Sequence, residues 1–402
     1  MPQQLSYIDL FSGCGGISLG LFNAGFQGVF AIEKHPDAFK TLRHNLIDTH
    51  KHFDWPSWLA LENWDINELL RKKREKLNEL KGKIDLVVGG PPCQGFSFAG
   101  KRQEADKRNT LIHSYLKFVE IVQPRVIMFE NVRGFTLKFS KYKKQGKVPY
   151  SEIVLSRLHE LGYTDAHGEM VNFVDYGVPQ RRQRFVVIAT RENLSNEIFS
   201  TLKANKTQFL MSKGLKPKIS TSEALSDLEK QHGTVTSPDT RNFLAGTTNS
   251  RGTNFQNYLR LFNEEKYVPD SHRFVNHTLD IQAVFEMLLK NAPRNRSLRG
   301  DERLLFGVKK RSLTILDPSE PAPTLTTIPD DCLHYSEPRV MTVRECARLQ
   351  TFPDWFEFKG PYTAGGKGRV THAPRYTQVG NAVPPLFAEQ LGIAIQMVLY
   401  ND

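Results

Sequence analysis

The chain has 402 residues, 39% of them hydrophobic, enough for one elaborated domain or two with a packed core, which excludes a disordered polypeptide. Lys and Arg number 54 against 43 acids, and the net charge of +11 points to a polyanionic partner without separating DNA from RNA. Four scattered cysteines give no disulfide framework or zinc-ligand spacing, no run of eighteen apolar residues offers a transmembrane helix, and the start MPQQLSYIDL lacks signal-peptide regions, so a reducing, cytoplasmic setting is expected.

Residues 5–11 read as a strand and 17–24 as a helix, and 29–33 and 36–45 repeat that pair. A short extended piece at 64–66 leads into helical spacing over 66–81, with a charged outer face that reads as solvated surface. The run Ile84-Asp85-Leu86-Val87-Val88, then 126–130 and 185–189, read as buried strands, and 150–161 as a helix stopped by Gly162. This alternation predicts an α/β fold with a doubly wound, mostly parallel sheet. From 195 to 335 the chain turns polar and irregular, with basic clusters at Arg294-Asn295-Arg296, Arg299 and Lys309-Lys310-Arg311. We read that stretch as a smaller domain with little regular periodicity. The pattern tightens again from Met341, and 386–400 is an apolar-striped helix expected to return to the sheet. The expected division is therefore 1–194, 195–335, and a return segment 336–402 that completes the first domain.

Asp9-Leu10-Phe11-Ser12-Gly13-Cys14-Gly15-Gly16 lies between the first strand and the first helix. Glycines there let a ligand approach the backbone at a helix N-terminus. Glu33, ending the second strand, is placed to accept ribose hydroxyls, and Asp65, read at the next strand end, to bond an adenine amino group. Ser18 stands where G-x-G-x-x-G has its third glycine, so the loop alone is weak evidence, and a tight turn with ordinary surface acids remains the plain alternative. A nicotinamide dehydrogenase would explain only the loop and Glu33.

Pro91-Pro92-Cys93-Gln94 follows the strand at 84–88 and the pair Gly89-Gly90. The prolines stiffen the backbone, which makes Cys93 a candidate nucleophile at a strand end, with a buried apolar thiol as the alternative. Glu130 ends another strand, and alternation through Gln180-Arg181-Arg182-Gln183-Arg184 puts Arg182 and Arg184 on one face. A pyrimidine explains the set. A thiolate adding at cytosine carbon 6 makes carbon 5 reactive, a carboxyl at nitrogen 3 eases the addition, and an arginine at oxygen 2 stabilises the charge. A zinc deaminase is excluded: His167-Gly168-Glu169 is present, but Phe96 stands where the second cysteine is needed.

With these blocks in hand the chain resembles the bacterial DNA cytosine-5 methyltransferases of restriction–modification systems. The resemblance runs in order through Asp9–Gly16, Glu33, Asp65-Ile66, Gly90-Pro91-Pro92-Cys93-Gln94-Gly95-Phe96-Ser97, Arg108-Asn109-Thr110-Leu111, Glu130-Asn131-Val132 and residues 180–184. It continues through residues 344–353 and Gln378-Val379-Gly380-Asn381-Ala382-Val383-Pro384-Pro385, and only 195–335, the family's variable recognition region, lacks a match. It implies a Rossmann-like S-adenosylmethionine-dependent fold and S-adenosylmethionine as donor, held by Phe11, Gly13, Gly15, Gly16, Glu33, Asp65, Ile66, Pro92, Leu111, Asn381 and Val383. It also implies Cys93 as nucleophile, Glu130 as the acid, Arg184 with Arg182 at oxygen 2, and Asn131 as an orienting group. Residues 344–353 are expected to fix the second domain, with Cys346 in a core.

The reacting base must leave its stack, so Gln94, Ser97, Arg102 and Arg108 are expected on DNA in a closing loop. Thr324 and Leu325 are expected at the DNA side of the second domain, with Arg296, Arg299, Lys309 and Arg311 as weaker backbone contacts. The basic stretch 138–147 reads as a surface loop. Double-stranded DNA is the expected partner of a monomer, and a cognate restriction endonuclease cutting the same site is its expected counterpart. An RNA cytosine methyltransferase using the same thiol chemistry stays as the alternative, and a DNA-binding protein with a vestigial site is disfavoured by the intact Cys93, Glu130 and Arg184.

Overall fold

β1 (Ser6–Leu10) and β2 (Gln27–Ile32) pair in parallel across α1 (Gly16–Asn23) in the computed structural model, which describes residues 4–92, 110–137, 148–249, 252–260, 267–310, 312–328, 330–364 and 371–400. α2 (Pro36–Leu42), α3 (Ile66–Lys72) and α4 (Arg74–Asn78) carry the chain to β3 (Leu86–Gly89), parallel to β1 on its other side. α5 (Thr110–Val122) then leads to β4 (Val126–Val132), parallel to β3. α6 (Tyr150–Glu160) leads to β5 (His167–Asn172), and the two-residue β6 (Gln180–Arg181) precedes β7 (Gln183–Thr190). β7 inserts between β4 and β5, antiparallel to both, so the order is β2-β1-β3-β4-β7-β5 and only β7 opposes the rest.

The sheet holds because its strands are apolar on both faces, as parallel strands covered by helices must be. Ile8, Leu10, Val87 and Phe129 are buried in one cluster with Phe118 and Val119 of α5. Gly89 permits the β1–β3 approach: a Cβ there would sit 2.7 Å from the Leu10 carbonyl oxygen.

The chain divides into two units, one of residues 1–172, 183–206 and 387–402, the other of 173–182 and 207–386. Two expectations about the later chain are corrected by this. Residues 195–206 join the sheet unit, because α7 (Ser195–Ser212) is tied there through Ser195 N on Asp165 Oδ2 at 2.6 Å and Lys203 on Glu169. Residues 336–386 stay with the second unit, while the helix Pro385–Tyr400 belongs to the sheet unit from Phe387 onward, as expected of it. The cause is a web of buried charge described below.

The second unit is also more regular than its polar sequence suggests. The helix Leu279–Asn291 buries Phe285 and Leu288 in a cluster with Leu298, Leu313, Ile315 and Leu333. The helical stretch Arg375–Tyr400 is long and apolar enough to cross a membrane by composition, yet 83% of its most apolar window is buried inside the protein.

Candidate active site and cofactor loop

In the sheet unit the glycine loop leaves β1 through Phe11 at φ 60°, Gly13 at φ 55° and Gly15 at φ 96°. Glycine meets the last two at no steric cost, and Gly15 caps α1. The loop is anchored by Ser12 N on the Ile32 carbonyl at 3.1 Å and Gly15 N on the Ser12 carbonyl at 2.9 Å. Glu33 lies directly under it. Its Oε2 accepts from Gly13 N at 2.9 Å and its Oε1 from His35 N at 2.7 Å. Burial pushes the Glu33 carboxyl up, and the two amides oppose that push. Asp9, in β1 and fully buried, takes the Ser18 hydroxyl at 2.6 Å and is pushed up to about 7 by burial.

Asp65 is not at a strand end. It is the N-cap of α3, where its carboxylate accepts from Asn67 N at 2.8 Å and pairs with Lys34 at 2.9 Å. Burial works against its charge, but Lys34 and the helix amides outweigh it and hold the carboxyl below the usual range. Its neighbour Ile66 is buried, Phe11 and Leu111 are half-buried against the same core cluster, and Pro92 is exposed.

This loop suits an adenosine-bearing cofactor on its own chemistry. A Cβ at Gly13 would meet nothing within 4 Å, so the backbone is open to a ligand. The buried Ser12 Oγ finds no hydrogen-bond partner among the described residues. Each Glu33 oxygen retains a second lone pair for a ribose hydroxyl.

At the ends of β3, β4 and β7 a second group of side chains meets. β4 and β7 pair with Glu130 opposite Val186 and Val132 opposite Arg184, so Glu130 and Arg184 are diagonal neighbours on one face. Glu130 Oε1 accepts from Arg184 Nε at 2.8 Å, with the side chains 12% and 13% exposed. Gly90 makes room: a Cβ there would sit 3.0 Å from Glu130 Oε2. Asn131 Nδ2 donates to the Pro91 carbonyl at 3.2 Å, which fixes the backbone two residues before Cys93. Cys93 itself, with Gln94, Ser97, Arg102 and Arg108, lies outside the described residues, as do Arg311 and the stretch 138–147. The other three cysteines are buried, and burial pushes Cys14 and Cys332 up to about 12 and Cys346 well above the usual thiol range. None of these three is a reactive thiol.

Gly90→Ala tests the space. The methyl group must push the Glu130 carboxylate aside by a few tenths of an ångström. We expect kcat to fall about 10-fold with unchanged folding, because small misplacements of reacting groups are expensive. Single-turnover methylation and a melting curve check this, and an unchanged rate would show that the carboxylate tolerates displacement.

Arg182 does not share the face of Arg184, because β7 begins only at Gln183. It belongs to the second unit and is 2% exposed. Its Nη2 donates to the Gly380 carbonyl at 2.9 Å and its Nη1 to the Leu325 carbonyl at 3.4 Å. Gln180 adds to this brace: its Oε1 accepts from Leu325 N at 3.0 Å and its Nε2 donates to Gln350 Oε1 at 3.1 Å. Thr324 Oγ1 donates to the Arg181 carbonyl at 2.6 Å. Gly380 is required where it stands, since a Cβ would fall 2.4 Å from the Thr326 carbonyl oxygen. Residues 180–182 are thus a strut beneath Thr324-Leu325, and the sequence hides it because arginines read as surface. Of the two cofactor candidates in this unit, Asn381 ends the helix Arg375–Asn381 exposed and Val383 is buried. Among the basic candidates, Arg296 is paired with Glu302, while Arg299 and Lys309 are exposed.

Known proteins are similar to this chain in sequence and fold. A sequence model of C-5 cytosine-specific DNA methylases matches residues 5–397. The chain belongs to that family. It is 29% identical to the type II methyltransferase M.DdeI of Desulfomicrobium norvegicum over 99% of this chain and 90% of that one. It is 30% identical to M.PspPI of a Psychrobacter species, over 99% and 80%. Among solved structures, a DNA modification methyltransferase encoded within an E. coli prophage superposes with a TM-score of 0.66 at 26% identity, covering 99% of this chain and all of that one. The Dnmt2 methyltransferase of S. pombe, at TM-score 0.50 and 16% identity over 99% of both chains, shares the fold. The fold is thus the Rossmann-like one of S-adenosylmethionine-dependent methyltransferases, the protein is a DNA methyltransferase, and S-adenosylmethionine is its methyl donor.

Proposed function

We propose that the protein methylates carbon 5 of a flipped-out cytosine in a specific duplex sequence. The observation that carries this reading is the Glu130–Arg184 pair, held beside Gly90 at the strand end that leads to Cys93. In this reading the Cys93 thiolate adds to carbon 6, forming an S–C bond, while Glu130 gives nitrogen 3 a proton and Arg184 bonds oxygen 2. The electron pair displaced onto carbon 5 makes that carbon nucleophilic. S-adenosylmethionine, when bound, supplies an electrophilic methyl group on its sulfonium. Loss of the carbon-5 proton to water, with the nitrogen-3 proton returning to Glu130, then expels the Cys93 sulfur as thiolate and restores the aromatic ring. Asn131 steadies the Pro91 backbone through this cycle, and Arg182 braces Thr324-Leu325 on the DNA side.

The donor would rest on the glycine loop, with Glu33 at the ribose and Ile66 and Phe11 against the adenine. Asp65 would reach it only beside its Lys34 pair. The relatives are bacterial type II methyltransferases by name, which supports an enzyme of a restriction–modification system; we further propose that it is cytoplasmic and acts as a monomer on DNA that a cognate endonuclease would otherwise cut. The net charge of +11 suits that polyanionic substrate.

A duplex carrying 5-fluorocytosine tests the reading, because fluorine cannot leave as a cation. With S-adenosylmethionine present we expect a covalent protein–DNA adduct by mass spectrometry, absent in Cys93→Ser. No adduct from the wild-type enzyme, or N4-methylcytosine in place of 5-methylcytosine in digested product, would overturn it.

A further inference from the structure

A guanidinium removed from water is unfavourable unless its N–H groups meet acceptors. Buried and half-buried arginines of the second unit obey this. Arg294 and Arg303 donate to backbone carbonyls, and Arg260 and Arg375 pair with Asp227 and Asp239. Arg339 and Arg348 pair with carboxylates, and Arg182 and Arg344 donate to carbonyls. Arg273 is the exception among the described residues. It is half-buried, its Nε has no partner, and its guanidinium forms no hydrogen bond with any described residue. Burial lowers its pKa, with Arg375 adding to that and Asp239, Tyr362 and Tyr376 opposing it.

Aromatic stacking holds Arg273 instead. Its guanidinium carbon lies 4.1 Å from the Phe243 ring centroid and 3.8 Å from that of Tyr362. Tyr362 is fixed in turn, its hydroxyl 3.1 Å from both oxygens of Asp239, and Arg375 pairs with that carboxylate at 2.6 Å. Phe243 immediately precedes β9 (Leu244–Gly246), which pairs with β8 (Thr234–Thr236), and the Arg273 backbone bridges to Ala245. Two aromatic rings therefore hold the guanidinium, and its donors meet no described residue.

We propose that Arg273 reads a guanine edge in the recognition sequence, a specificity role that rests on the DNA cytosine methyltransferase reading above. A phosphate needs only a point charge, which an exposed lysine supplies without two rings to immobilise it. Bidentate pairing with guanine O6 and N7 needs a planar fork in a set orientation, and stacking provides that orientation before DNA arrives.

Sequencing of plasmid methylated by the wild-type enzyme first defines the site. Duplexes are then made with each guanine of that site replaced in turn by 7-deazaguanine. We expect one position where the wild-type kcat/KM drops about 10- to 100-fold. Arg273→Ala and Arg273→Lys should show that drop already on unmodified DNA, with no further loss from the analogue there. Phe243→Leu keeps the fork but loosens it, and should weaken discrimination at the same position. It also serves if Arg273→Ala fails to fold. A uniform loss across all duplexes, with the wild-type analogue pattern kept, would make Arg273 a phosphate contact and overturn the proposal. A lower melting temperature with unchanged discrimination would make it a structural clip and overturn it equally. Absent wild-type methyl transfer would sink the DNA reading itself, whereas intact transfer with a flat analogue pattern sinks only the assignment of Arg273.

Discussion

Glutamine at position 130 should lower kcat about 10²- to 10⁴-fold, the range that a lost general acid accounts for, with the KM for S-adenosylmethionine unchanged. The substitution is chosen because it spares the surroundings. Glutamine keeps the size of Glu130, and its carbonyl oxygen still accepts from Arg184 Nε, now 2.8 Å away. It also leaves the Gly90 contact to Oε2 filled by an atom of similar radius. What it removes is a proton that can be passed to nitrogen 3. The loss should therefore appear in the single-turnover rate and in formation of the Cys93 adduct, not in DNA affinity. Arg184→Ala should slow the same step, and the double variant should be less impaired than the product of the two losses, because the pair acts as a unit. A Glu130→Gln enzyme within about three-fold of wild type would show that the carboxyl supplies no proton to the reaction.

The parallel half of the sheet is legible in sequence because its strands are buried on both faces. The strands at β1, β2, β3 and β4 read as short apolar runs bounded by breakers, and that is sufficient to place the glycine loop, Gly90 and Glu130. The strand β5 is not legible. Only Val171 of its six residues is buried, as befits an edge strand, so no alternation marks it. In α7 a polar surface dilutes the stripe formed by Ile198, Phe199 and Leu202, which is why the stretch reads as irregular. Asp65 misleads for a related reason: the residue before a helix and the residue ending a strand are both extended, and only the N-cap hydrogen bond tells them apart. Arg182 and Arg184 diverge because alternation assumes a continuous strand, whereas the chain changes unit between them. Arg273 could not be found at all. Its partners Phe243 and Tyr362 are distant in sequence, and stacking leaves no periodic trace.

Substituting Arg348 by methionine should destabilise the second unit by about 3–5 kcal/mol at pH 7, the penalty for leaving buried carboxylates without their cation. Arg348 is fully buried on the helix Val343–Leu349. Its Nε and Nη2 reach the two Asp354 oxygens at 2.8 and 2.6 Å, and its Nη1 reaches Asp227 Oδ1 at 2.7 Å. One turn earlier Arg344 donates to the carbonyls of Asp270, Pro353 and Phe356. Arg339 closes on Glu345, which also completes the capping box with Thr342. This web is what keeps 336–386 with the second unit. It also fixes a pH signature. Burial would raise the Asp354 carboxyl, but Arg348 outweighs it and holds the folded value below the usual 3.8. In the wild type that group therefore adds stability above about pH 4, lost as pH falls through the lower folded value. Without Arg348 burial is opposed only by Arg344 and the Tyr267 hydroxyl, so we expect the folded value to rise above the unfolded one and acid to relieve the variant. The stability gap between wild type and Arg348→Met should consequently narrow from pH 7 to pH 5, as read from urea unfolding midpoints. A gap below about 1 kcal/mol at pH 7 would mean that apolar packing replaces the web, as it does for some buried ion pairs, and the cohesion of 336–386 with the second unit would need another source.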